Sequence, residues 1–290
     1  MLGVLYFARI GAMLAAIPMA GAIGVWSSWE RDNAVLQQQA VAVTAGLRSN
    51  GAKISAISHW VYHNKGFERN RRFFLIPKLG PTPVQVLESG GDCADKSRLV
   101  SAMLWQIGIA SGLAQIFPCE NCDPIHAFVE AEYEYGRMVV DPIWDVDYST
   151  ADGKFLGIRE LAGTSRGRDH LAELQRQRPI TDKIHYMPAS DATYDFARAV
   201  NWQKNGLTRV AAKGLRLLGY APENWLRPHF LEDPKLAIAL VLLVVAGLLA
   251  MLSPTLSFAL PGAARQLDCR LVRGLLDAWP GTFASAVEEI

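Results

Sequence analysis

The chain has almost no net charge. Its 29 Lys and Arg stand against 28 Asp and Glu in 290 residues, leaving +1. So small an excess gives no general field for nucleic acid or an acidic partner, and no nucleic acid is expected. Internal repeats, a phosphate-binding glycine loop and low-complexity tracts are all lacking, so solenoid and P-loop readings have no support. Cysteine is scarce, with four in all, and each must be placed individually. Charge is missing altogether from two long stretches, Ile10–Ser28 and Leu236–Ala264.

Those uncharged stretches set the organisation. A helix of about 17–25 apolar residues crosses a bilayer. Ile10–Ser28 is long enough and reads as an uncleaved anchor over residues 1–29; Ala20-Gly21-Ala22 also suits a signal-peptidase site. The second stretch is densest over Leu236–Leu252, with Pro254 and Pro261 expected to break it or mark its exit. It gives a transmembrane helix over 235–264 and a short tail over 265–290. Arg9 before the first span and Arg265, Arg270 and Arg273 after the second predict that both termini are cytoplasmic. The middle, Glu30 to Asp233, then lies outside the cytoplasm. In a bacterium this is an inner-membrane protein facing the periplasm.

The middle contains one constellation with evident chemistry. Gly90-Gly91 allows close backbone approach, Asp92 suits an N-cap, and Cys93 follows in the first turn of a helix. Leu99, Met103, Leu104, Ile107 and Ala110 carry a near-helical period, and Gly108 suits a stop. A thiol is a useful nucleophile only as thiolate, which a helix N-terminus and a nearby imidazole both favour. The Cys93 amide there could also donate to an oxyanion. The plainer reading is a small buried cysteine beside a tight turn.

Residues 126–133 alternate like a strand from His126, and 137–143 read as its partner around a turn at Glu134-Tyr135-Gly136. With Phe128 opposite Asp141, Asp141 shares a face with His126 one diagonal step away. A slip of one residue would put it on the other face. Asp141 would then orient the imidazole, and Pro142 would end the pairing.

Over Thr82–Trp144 the chain resembles the transglutaminase-like superfamily. The likeness lies in the lead-in Thr82–Gly91, Asp92-Cys93-Ala94-Asp95-Lys96, Ile107-Gly108-Ile109, His126 with Glu130, and Val140-Asp141-Pro142. It implies an α+β, papain-like core in which a nucleophile helix packs on an antiparallel sheet. It also implies Cys93 as nucleophile, His126 as general base and acid, and Asp141 as orienting residue. Phe128 departs from the tryptophan that many members carry. Trp60, Tyr62 and Gln85 are candidates for an oxyanion-hole side chain. The superfamily's shared chemistry is thiolate attack on an amide carbonyl, then acyl transfer to an amine or water.

The expectation is a membrane-anchored thiol enzyme acting on a protein or peptide without a cofactor. Peptidase or amidase chemistry is favoured over cross-linking. The rival is a catalytically silent scaffold or binding subunit of a membrane complex. The transglutaminase-like domain would occupy 30–150 and a helical, membrane-proximal extension 151–234.

Other cysteines and histidines carry alternatives. Cys269 lies past the second span. Cys119 and Cys122 read as a local disulfide, as two ligands of a zinc site with His126, or as unpaired thiols. Zinc on His126 would remove the general base. His59 and His63 lie four apart on a helical stretch within Asp32–Asn64, broken near Ser49-Asn50-Gly51; they suit metal or plain solvation. Arg69, Arg71, Arg72 and Lys78 form a basic cluster, read as a solvated loop or as facing lipid headgroups or an anionic substrate. Further on, a loop is predicted over Gly163–Arg168 and a helix over His170–Gln177. An amphipathic helix is predicted over Ala192–Leu218, with Trp202 either in the core at a helix break or at a membrane interface beside Trp225, Arg227 and His229.

Overall fold

The computed structural model describes residues 2–68, 71–117, 122–150, 152–162 and 197–259. The loop at 163–168, the helix at 170–177, Arg69, Cys119, Cys269, Pro261 and the arginines of the tail lie outside these residues. Two units emerge, Val25–Ile238 and the terminal stretches Met1–Gly24 with Ala239–Ile290.

The larger unit is α+β. Helix α1 (Leu2–Val43) enters it and buries Leu36 and Ala40. The Ser49 hydroxyl accepts from the Ala52 amide and starts α2 (Asn50–Asn64), which buries Ile54, Ile57 and Val61. Thr82 and Gln85 form a reciprocal capping box with Pro83 in the first turn, starting α3 (Pro83–Ser89). Helix α4 (Cys93–Gln106) follows and ends at Gly108, whose φ of 78° is left-handed. Its buried Leu99, Met103 and Leu104 carry the expected period.

Four antiparallel strands lie in chain order, β1 (Ser111–Ile116), β2 (His126–Tyr133), β3 (Gly136–Asp141) and β4 (Val146–Asp147). Val129 faces Val140 and Glu130 faces Val139, so one step further Phe128 stands opposite Asp141. Strand β4 turns back after Pro142, setting Asp141 against Val146. One sheet face, with Val129, Ala131, Met138 and Val140, joins a core with α1–α4. The other face, with Phe128 and Val139, packs Trp144, Tyr148 and Leu161, the last from the short helix α5 (Ile158–Ala162). In β1, a Cβ on Gly112 would lie 2.7 Å from the Arg227 carbonyl oxygen, so the 227 segment crosses where no side chain fits.

The helix expected over Ala192–Leu218 is corrected. Residues 197–205 are not helical; Arg198 exchanges backbone hydrogen bonds with Gln115 of β1 instead. The amphipathic helix is only α6 (Gly206–Leu217), started by an Asn205–Thr208 capping box that satisfies the orphan amides there. Trp202 donates through Nε1 to the Pro222 carbonyl and meets the Trp225 ring edge-on.

In the terminal unit, α1 is joined by part of α7 (Pro234–Ala259), which runs on past Pro254. Buried Ala22, Ala239 and Ala246 are small, and a Cβ on Gly21 would touch Leu242 at 3.4 Å. Small residues of this kind let helices approach closely. Among the described residues one segment, Pro234–Met251, is long and apolar enough to cross a membrane, rather than the two expected. The Ile10–Ser28 run lies within the 42-residue helix α1.

Candidate active site

The loop before α4 explains the paired glycines. Gly90 has a φ of 81°, and a Cβ there would sit 2.5 Å from the Gly66 carbonyl oxygen. The Gly91 amide donates to that same oxygen at 3.2 Å. Asp92 then accepts from the Ala94 and Asp95 amides at 3.0 and 3.1 Å, and Asp95 reaches back to the Asp92 amide. The cap fixes where the helix begins, so Cys93 is its first residue, as a free and partly exposed thiol.

The hairpin supplies the partner groups. His126 Nε2 lies 2.6 Å from Asp141 Oδ2. Asp141 is fully buried, and its other oxygen accepts from the Ile143 and Trp144 amides at 2.9 and 3.3 Å. Backbone thus holds one carboxylate oxygen and imidazole the other, which leaves Asp141 little rotational freedom. The Cys93 thiol lies near enough to the same imidazole to bear on its charge. Burial works against a charged imidazole here. The Asp141 charge and hydrogen bond outweigh it, with a smaller contribution from Cys93, and push His126 up to about 10. An imidazolium held across neutral pH favours a thiolate beside it.

Two residues of the site were given no role from the sequence, although Lys96 closes the Asp92–Lys96 block. Ser97, one turn beyond Cys93, donates from its hydroxyl to the Ala127 carbonyl at 3.2 Å and ties α4 to β2 next to His126. Lys96 is buried with its Nζ 5.7 Å from the Tyr62 ring centre. Burial pulls its ammonium down to about 8, opposed by the Asp141 charge. Neither periodicity nor local spacing separates such a lysine from a solvated one on the helix surface.

The other candidates are placed as follows. Gln85 is spent on the α3 cap. Trp60 packs against the core, with the Lys65 ammonium over its ring. Tyr62 lies between Lys96 and His63. Glu130 is a latch: it accepts from the Ile158 amide at 3.0 Å and lies 3.5 Å from Arg137. Cys122 is disulfide-bonded, so it has no thiolate to offer a metal. In the basic cluster Arg72 pairs with the exposed Glu88 at 2.6 Å. His59 and His63 come together with Asp145.

No family model matches the chain. No curated protein matches it. Among solved structures, a candidate cysteine protease from Cytophaga hutchinsonii is similar at 19% identity and a TM-score of 0.33, over 38% of this chain and 37% of that one. The chain therefore spans well under half of that neighbour, and a likeness at this level carries no weight for substrate or mechanism.

Proposed function

We propose that this chain is a membrane-anchored thiol enzyme that opens amide bonds of a protein or peptide through Cys93, His126 and Asp141. The supporting observation is the His126–Asp141 contact of 2.6 Å, with Cys93 opening the helix near the same imidazole. The Cys93 thiolate adds to the amide carbonyl carbon. The resulting oxyanion lies at the start of α4, where the Cys93 amide has no intrahelical acceptor. His126 gives its proton to the leaving amine, the C–N bond breaks and a thioester remains. His126, now neutral, takes a proton from water as that water attacks the thioester, releasing the acid and restoring the pair. Water is always present outside the cytoplasm, so hydrolysis is favoured over transfer to a second amine.

The membrane part of the reading rests on Pro234–Met251 and on α6. Leu207, Val210 and Leu217 of α6 are exposed, and Arg209, Lys213 and Arg216 share the helix. Exposed apolar and basic residues on one helix suit the lipid interface. In this reading both termini lie in the cytoplasm and the catalytic unit outside it.

Iodoacetamide labelling of the full chain in detergent tests the chemistry. Cys93 should label at pH 6, where an ordinary thiol of pKa about 8.5 is nearly unreactive, and His126→Ala should abolish that reactivity. Labelling with an ordinary thiol profile in both proteins would reject the enzyme and favour the scaffold.

A further inference from the structure

Beside the candidate active site, helix α2 presents a second set of chemically capable side chains. His59 and His63, one turn apart, are 61% and 53% exposed. Their ring centres are 4.2 Å apart. Asp145 reaches them from the turn between β3 and β4. His59 Nδ1 lies 2.9 and 3.0 Å from its two carboxylate oxygens, and His63 Nε2 lies 3.6 Å from Oδ2. We propose that His59, His63 and Asp145 bind a divalent transition-metal ion of the zinc class, clipping α2 to the turn that holds Asp141.

The donor set argues for that class. Two imidazoles and a carboxylate suit zinc and its neighbours, whereas calcium and magnesium take oxygen ligands. Distances argue the same way. At 3.6 Å, His63 Nε2 is too far from Asp145 for a hydrogen bond. It is close to the separation of about 3.3 Å between two ligands on a tetrahedral ion at zinc–nitrogen distances of about 2.0–2.1 Å. All three ligand atoms lie within 4.8 Å of one another, so shifts below an ångström bring them onto one ion. Binding exchanges the His59 Nδ1–H···Asp145 hydrogen bond for an Nδ1 lone pair on the metal, with the imidazole proton on Nε2. The exposed sides of both histidines leave room for water to complete the coordination.

Backbone geometry adds an independent observation. Asp145 has a φ of 53°, a left-handed conformation that non-glycine residues adopt at a cost and that Asp and Asn tolerate best. That conformation follows directly on Ile143 and Trp144, whose amides hold Asp141. An ion on Asp145 would therefore stiffen the turn that orients the His126 partner.

Calorimetric titration of zinc into the detergent-solubilised full chain tests the site. A Cys93→Ser, Cys269→Ser background removes competing thiols. One zinc per chain is expected, with no comparable heat from calcium. His63→Ala and Asp145→Asn, the latter keeping the left-handed residue type, should each weaken binding by roughly 10–100-fold or more. Zinc should also raise the melting temperature of the parent chain, as a ligand of the folded state does, and this rise should vanish in His63→Ala. An absent zinc site, or affinities in both variants equal to the parent's, would overturn the proposal. Both readouts are independent of amide cleavage, so this site and the thiol enzyme stand or fall separately.

Discussion

At the scale of single residues, His126 and Lys96 are held away from their ordinary behaviour with opposite consequences. His126 titrates at about 10 in the folded chain, against about 6.5 when unfolded. A base whose folded pKa is raised stabilises the fold fully below the unfolded value and loses that contribution as pH climbs through the folded one. The stability advantage of wild type over His126→Gln should therefore be largest below pH 6.5 and shrink steadily toward pH 10, as thermal melts across that range would show. Lys96 is the reverse case, lowered by burial from 10.5 to about 8. Its protonated form costs folding free energy in full below pH 8, and the cost disappears as pH passes 10.5. Lys96→Met is expected to melt higher at pH 7 and to cleave amides more slowly. That combination is typical of a charge kept for function. A lower melting temperature would count against it.

At the scale of elements, the start of α4 is the joint on which the proposed chemistry would depend. Asp92 satisfies two helix amides and receives one bond in return, so Asp92→Ala should cost about 1 kcal/mol in a urea melt. Cleavage should fall by more than that loss alone implies, because the first turn carries Cys93. An activity loss that merely follows the unfolded fraction would make the cap structural only. The start of α4 was readable from Gly90-Gly91 and Asp92, and the hairpin from the alternation after His126, because capping and pleating act over a few residues. Strand β1 was not foreseen. Ser111-Gly112-Leu113-Ala114-Gln115-Ile116 is short, carries a glycine and lacks β-branched residues before Ile116. It is a strand because β2 pairs along its whole length. The helix predicted through 197–205 failed for the same reason in reverse: pairing with Gln115 outweighed the local helical period.

At the scale of the whole molecule, truncation tests the proposed membrane anchoring. Removing residues 234 onward should leave it membrane-bound if the N-terminal run is an anchor, and removing 1–29 as well should release it, as fractionation with alkaline carbonate would show. Release after the first truncation alone would make Pro234–Met251 the single anchor. Digestion of intact spheroplasts with external protease should cleave the Val25–Ile238 unit if it lies outside the cytoplasm; full protection would reverse the topology.

Taken by itself, the amino-acid order determined what short-range physics governs: a capped helix opening on Cys93, a hairpin whose alternation sets His126 and Asp141 on one face, and an uncharged run ahead of the C-terminal tail. Tertiary structure alone decided what depends on distant segments meeting. Ser97 reaches Ala127 across 30 residues and His59 reaches Asp145 across 86. Lys96 is buried only because helices and sheet close over it. No local period encodes such contacts, since they arise from the single packing that buries both sheet faces at once.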